Sequence, residues 1–175
     1  MGQPKHLIEY GGQTWLAYIN SCLKLFCDEI VIAGQGKLPE GEWLRLDDAP
    51  GCSGPMAGVL AAMRKYPLNS LIVCACDMPE INADAINWLI SQIRLDDWAI
   101  VPQIKDHLQP LFAVYDPRIR PLFEDLAVRG MMRMREVCAS PRVRIVRPPS
   151  KISRAWNNIN DSAALKKWRQ GYQLK

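Results

Sequence analysis

The run Leu71-Ile72-Val73-Cys74-Ala75-Cys76 carries no charge and is followed at once by Asp77-Met78-Pro79. Six apolar residues in continuous rather than alternating pattern fit a parallel strand covered on both faces, a kind of strand found in sheets sandwiched between helices. Asn69-Ser70 on one side and Pro79 on the other bound the run. In open α/β sheets, ligands bind just past the carboxyl ends of such strands. A carboxylate placed there can hold Mg2+, a hard cation that keeps waters and takes one or two protein carboxylates together with substrate phosphates. Asp77 can equally cap a helix that starts near Pro79, and the run by itself leaves the two roles open.

The rest of the chain alternates strand-like and helix-like segments without a repeat, linker or low-complexity tract, which predicts an α/β domain with a largely parallel sheet over residues 1–175. Thr14 is placed to cap a helix whose apolar residues Trp15, Leu16, Ile19, Leu23 and Phe26 recur at helical spacing. Strands are expected at residues 29–33 and 43–46. A helix entered through Gly54-Pro55 follows over residues 55–63, since proline is pre-organised for a first helical turn. After the strand ending at Asp77 come a helix carrying Ala83, Ile86, Leu89, Ile90 and Ile93, and a strand at residues 98–101. Residues 110–115 suggest a further strand, and Asp116-Pro117 starts another helix. Gly130 interrupts before a second helical piece that reaches Val137; a strand at 143–146 and a helix at 162–168 close the chain. Gly11-Gly12 reads as a turn.

A chain of 175 residues buries a sizeable core without needing metals or disulfides for stability. No apolar run approaches the roughly 20 residues that span a bilayer, and residues 1–12 lack the apolar stretch of a signal peptide. The six cysteines show no C-x-x-C pair and several sit in apolar segments, so reduced core thiols in a cytoplasmic protein are expected. Cys74 and Cys76 would share one strand face, but two thiolates without partners make a poor metal site. Charge is uneven: residues 1–114 hold 8 Lys and Arg against 13 Asp and Glu, and residues 115–175 hold 14 against 5, a net −5 followed by +9. The basic half lacks any RNA-binding signature or basic-aromatic platform, which favours an anionic small molecule or a solvated surface over nucleic acid.

Four local patterns occur in order: Met1-Gly2 with Lys5; Asp47 seven residues ahead of Gly54-Pro55-Met56-Ala57-Gly58; Cys76-Asp77-Met78-Pro79; and Asn158-Ile159-Asn160-Asp161. Over essentially the whole chain this succession resembles the molybdenum cofactor guanylyltransferases, whose pattern is L-A-G-G-x-S-x-R-M-G-x-x-K, then D with G-P-L-A-G, then C-D-x-P, then N-x-N-T. The resemblance implies a three-layer, Rossmann-like (GT-A-like) nucleotidyltransferase domain with a mostly parallel sheet. It implies transfer of GMP from GTP to the phosphate of molybdopterin, with Mg2+ as cofactor and release of pyrophosphate. Transient contact with molybdoenzymes or other cofactor-biosynthesis proteins would follow, and neither nucleic acid nor membrane is implied.

Residue by residue, the resemblance implies that Lys5 contacts the phosphates, that Asp47, Gly54, Pro55 and Gly58 lie in the nucleotide site, and that Asp77 carries the metal. A lysine beside departing pyrophosphate offsets its charge, and Mg2+ makes phosphorus a better electrophile. Gly54 and Gly58 allow close backbone approach to a ligand, and Gly58 equally lets helix and sheet pack tightly. Asn158 and Asn160 are candidates for the metal or acceptor phosphate, or for capping the last helix. Arg133 and Arg135 suit an acceptor phosphate. His107 in its loop is not required, since in-line attack by an anionic phosphate is mostly positioning and charge neutralisation.

Two departures from the family pattern stand out. Ala33 occupies a place where the family often has Asn, and the segment L-A-G-G-x-S-x-R, the first central strand and phosphate loop, has no counterpart. Either Met1 is internal to a longer protein or the chain is a degenerate relative. Within the family, L-A-G-G marks guanylyl and L-A-A-G cytidylyl enzymes, so a cytidylyltransferase on the same cofactor is the near alternative; Asp77-Met78-Pro79 and G-P-M-A-G lean toward guanylyl. A catalytically dead binding protein is the alternative from another class.

Overall fold

The computed structural model describes residues 4–173; Met1, Gly2 and Gln3, which open the first of the four patterns, lie outside the described residues. A 3-10 turn at Lys5–Leu7 leads into a short hairpin of β1 (Glu9–Tyr10) and β2 (Gln13–Thr14), turned by Gly11 and Gly12. Helix α1 (Trp15–Leu23) starts where expected, with the Thr14 hydroxyl accepting from the Ala17 amide at 3.2 Å. Strands β3 (Ile32–Ala33) and β4 (Arg45–Leu46) pair in parallel as a separate two-stranded sheet. Helix α2 (Pro55–Lys65) then crosses to β5 (Leu71–Cys74), the strand that ends three residues before Asp77.

Helix α3 (Ala83–Ser91) is capped by Asn82, whose side-chain oxygen accepts from the Ala85 amide at 3.0 Å. Asp77 therefore does not cap it, and of the two roles the sequence left open, the capping one falls. The main sheet continues with β6 (Ala99–Ile104), β7 (His107–Leu108), β8 (Phe112–Tyr115) and β9 (Val143–Val146). Between β8 and β9 lie a 3-10 turn begun at Asp116-Pro117, α4 (Arg120–Val128) and α5 (Met134–Val137); α6 (Ser162–Gln173) follows β9.

The α/β class holds, but the main sheet is mixed rather than mostly parallel. β8 lies antiparallel between β5 and β6, and among the principal pairs of this sheet only β6 with β9 is parallel. The cause is connection length: the chain returns from β6 to β8 through β7 and one tight turn, too short for the helical crossover that a parallel neighbour requires. Two cores flank the sheet. One packs α2, α4 and α5 through Met56, Leu60, Phe123 and Val137; the other packs α1 and α3 through Ile19, Ile86 and Leu89.

β5 departs from its sequence in one respect. Leu71–Cys74 pairs with β8 along one edge only, and all four residues are half-buried, whereas the four residues of β8 are buried throughout. The strand expected at residues 29–33 likewise keeps ladder geometry only at Ile32–Ala33, and that expected at 43–46 only at Arg45–Leu46. Between β3 and β5 lies a cleft of ≈ 1060 Å3. Among the described residues no helix is long and apolar enough to cross a membrane.

Candidate functional site

The cleft opens at the carboxyl end of β5, where three residues distant in sequence meet. The Lys5 ammonium donates to Oδ2 of Asp77 at 3.1 Å and to Oδ1 of Asn160 at 2.8 Å. Each partner is held by its own local structure. Asp77 sits on the turn after β5, where Ala75 donates its amide to the Leu111 carbonyl and Met78 and Ile81 plunge into the core. The segment carrying Asn158 and Asn160 is tied back by the Ile159 amide, which donates to the Asp77 carbonyl at 2.9 Å. The Ile159 side chain is buried with Ile8 and Trp15, and the latter two fix the turn from which Lys5 projects.

The two carboxylate oxygens of Asp77 differ. Oδ2 has its lysine, while Oδ1 is buried and has no hydrogen-bond partner. A buried acceptor without a donor costs about 1–3 kcal/mol, and such an oxygen is suited to a cation or a ligand donor. Among the described residues no three His, Cys, Asp or Glu side chains gather as a metal-binding group. A cation here would thus have one carboxylate and would complete its shell with water and ligand oxygens, which is the habit of Mg2+ rather than of Zn2+. Burial, reinforced by the Asp77 charge, raises the adjacent Cys76 thiol, and burial pushes Cys74 well above the ordinary thiol range.

Across the cleft stands the start of α2. Gly54 has φ 64° and ψ −162°, a conformation essentially reserved for glycine, and no side chain caps the helix it precedes. Pro55 has no amide hydrogen and the Ala57 amide donates to the Gly54 carbonyl at 3.0 Å, so of the first three positions Met56 is the one that offers an amide to an anion. Gly58 serves packing: a Cβ at this position would stand 2.7 Å from Cβ of Ala33 and 3.4 Å from Oδ1 of Asp48. Of the two readings of Gly58, close helix-to-strand approach is the one the geometry supports.

The expected residues divide by location. Asp77, Gly54, Pro55, Gly58 and Asn158 line the cleft, and Lys5 and Asn160 join Asp77 at its mouth. Asp48 lines it too, while Asp47 is exposed and outside the lining. Asn160 does not cap α6; Asp161 does, accepting from the Ala164 amide at 2.8 Å. Arg133 at the start of α5 and Arg135 within it lie exposed, away from the cleft lining, and His107 is exposed on the β7 hairpin. Sequence reasoning missed Arg45, which reaches from β4 to the carbonyls of Gly34 (3.0 Å) and Gly36 (2.7 Å) and holds the loop after β3. It also missed His6, whose Nε2 lies 2.7 Å from the Lys37 carbonyl on the same rim. The glycines at 34 and 36 were the available signal, since exposed carbonyls in such a loop call for a donor.

The family described as the MobA-like NTP transferase domain matches residues 1–146. A probable molybdenum cofactor guanylyltransferase of Pelotomaculum thermopropionicum is 32% identical, covering 97% of this chain and 85% of its own length. A relative of the same description from Bacillus licheniformis is 26% identical over 91% of this chain and 84% of its own. Among solved structures, the molybdopterin-guanine dinucleotide biosynthesis protein A of Archaeoglobus fulgidus superposes with a TM-score of 0.79 at 20% identity, covering 99% of this chain and 93% of its own. The 2-C-methyl-D-erythritol 4-phosphate cytidylyltransferase of Thermus thermophilus gives 0.73 at 14% identity over 97% and 94%. At these identities the two structures speak for the α/β nucleotidyltransferase fold alone.

Proposed function

Because the chain belongs to the family of MobA-like NTP transferase domains, we propose that it is a transferase of molybdenum cofactor biosynthesis that moves GMP from GTP onto the phosphate of molybdopterin. In this reaction an acceptor phosphate oxygen attacks the α-phosphorus in line, one P–O bond forms, the bond to the bridging oxygen breaks, and pyrophosphate leaves. The observation that carries the reading is the Asp77 carboxylate at the end of β5, one oxygen paired to a lysine and the other buried without a donor.

Asp77 is the residue that would hold Mg2+, which when bound polarises phosphoryl oxygens and neutralises their charge. Lys5 supplies a positive charge at the polyphosphate. Asn160 fixes the lysine's direction. Gly54 and Pro55 bring the uncapped end of α2 to the phosphates, and Gly58 sets how near that end approaches β3. Asn158, Arg133 and Arg135 remain candidates for the acceptor side, and Asp47 with Asp48 for the nucleotide side. GTP and molybdopterin are then the substrates, and the cytoplasm, where free thiols such as the six cysteines here persist, is the compartment.

The test is to incubate the protein with molybdopterin, Mg2+ and either GTP or CTP, and to follow pyrophosphate and the product mass. A guanylylated product with GTP supports the reading. A cytidylylated product alone assigns the cytidylyl alternative, and no product with either nucleotide assigns the binding protein. Turnover that survives Asp77→Ala removes the metal from Asp77.

A further inference from the structure

We propose that Glu80 is a positioning residue of the transfer reaction: it anchors residues 153–160 to the turn that carries Asp77, and so aims Asn158 and Asn160 at the ligands. The role rests on the transferase reading above.

The segment begins as a 3-10 turn at Ser153–Trp156 and leaves it in extended conformation, with Asn157 at φ −77° and ψ 121°. In an extended chain successive side chains point to opposite sides. Asn157 turns to the protein, its Nδ2 donating to Oε2 of Glu80 at 3.2 Å. Asn158 lines the cleft. Ile159 returns to the core, and Asn160 meets Lys5 at the mouth of the cleft. Odd positions hold the segment and even positions face the ligand side.

Packing fixes the two ends. Trp156 stacks on Phe112 with ring centres 4.7 Å apart and donates to the Phe112 carbonyl at 2.9 Å. At the other end the Ile159 amide holds the Asp77 carbonyl. Asn157 and Asn158 between them are exposed, and the bond to Glu80 is what ties this stretch down.

Burial commits Glu80 to the task. Its side chain is 11% exposed, and a carboxylate so enclosed needs partners. Among the described residues it finds both on this one segment: Asn157, and Arg154, whose Nε lies 3.4 Å from Oε1. The arginine is 62% exposed, so the ion pair adds little stability, yet it offsets the negative charge that Glu80 brings to the Asp77 turn. From behind, the Glu80 carbonyl accepts from Nδ2 of Asn82 at 3.0 Å, and Asn82 caps α3. Asp77 and Asn158 are thereby referred to one rigid frame, the amino end of α3. In-line transfer needs such a frame, because a misplacement of about 1 Å can cost about a hundredfold in rate.

The test compares Glu80→Ala, Glu80→Gln and Asn157→Ala in the whole protein, with molybdopterin, Mg2+ and GTP or CTP, well below the Tm of each variant. Glu80→Ala is expected to lower kcat about 10–100-fold with KM for the nucleotide held within about twofold, and to speed exchange of the Ile159 amide about tenfold. Glu80→Gln keeps an oxygen for Asn157 and should retain kcat within about threefold. Asn157→Ala should match Glu80→Ala, and the double variant should be no slower than either. A merely structural role would lower Tm and leave kcat at low temperature intact. That result overturns the proposal, as do unaltered exchange at Ile159, a loss that Glu80→Gln shares in full, and losses that multiply in the double variant. Absence of turnover in the unaltered protein overturns the transfer reading and this role with it, whereas turnover that Glu80→Ala leaves untouched overturns the role alone.

Discussion

At the scale of single residues, Asp77 and Lys5 make opposite predictions for metal binding. Lys5 occupies Oδ2 of Asp77 as a resident counter-ion, so a free divalent cation must compete with it. Lys5→Met is expected to tighten Mn2+ binding in the absence of nucleotide, read by electron paramagnetic resonance, while slowing turnover by about 10²–10³-fold through loss of a cation at the phosphates. Asp77→Asn is expected to abolish the Mn2+ signal and lower turnover by a similar factor of about 10²–10³, with a melting curve close to wild type, since Oδ1 has no protein partner to lose and the asparagine keeps an oxygen that can accept from the partly exposed Lys5. Unchanged Mn2+ affinity in both variants would remove the metal from this carboxylate. Asp77 was legible because it terminates an apolar run, a purely local signal. Its tie to Asn160 through Lys5 was not, because the bond from Lys5 to Asn160 spans 155 positions and no periodicity encodes it. That Asp48 rather than Asp47 lines the cleft was equally hidden, since the side chains just past a two-residue strand are aimed only once its partner is known.

Among the elements, α2 has the narrowest tolerance. Gly58→Ala places a methyl 2.7 Å from Cβ of Ala33, an overpacking worth about 1–3 kcal/mol against at most about 1 kcal/mol gained in helix propensity. The expected result is a Tm lower by a few degrees, and a double-mutant cycle with Ala33→Gly should show coupling of at least about 0.5 kcal/mol; additive effects would separate the two sites. Helices α2 and α4 are also clamped by Arg64 and Glu124, with N–O distances of 2.9 and 2.6 Å. The hydrogen bond from Arg64 lowers the Glu124 carboxyl below its ordinary 4.5. Its folded-state value lies below its unfolded one, so the stabilisation is present above pH 4.5 and fades as pH falls through the folded value. Arg64→Met should therefore be less stable than wild type at pH 7 and approach it in urea melts near pH 3; a constant gap would assign the loss to packing. Thr14 and the Gly54-Pro55 helix start were readable because capping is local chemistry. Asn82 was overlooked beside the more conspicuous Asp77-Met78-Pro79, and the strands around Ile32 and Arg45 were drawn too long because strand length depends on neighbours in space.

For the molecule as a whole, the antiparallel place of β8 was out of reach of pattern reading, because a strand buried on both faces is apolar whichever way it runs. The structure also divides into parts of unequal security. β6 is paired by β8 and β9 and lies between both cores, whereas β3 and β4 hold each other through two residues apiece. Native-state hydrogen exchange should find β6 and β8 opening only with global unfolding, and β3 with β4 opening at a lower free energy. Equal protection would show that α2 locks the small sheet as firmly as the large one. The meeting of Lys5, Asp77 and Asn160 has a consequence in time as well as space. A chain made from its amino end acquires the lysine first, the carboxylate midway and the asparagine when most of its length exists. The lysine is held in its final direction only after synthesis has passed residue 160, so a nascent or prematurely ended chain can carry most of the sheet and still lack an assembled site.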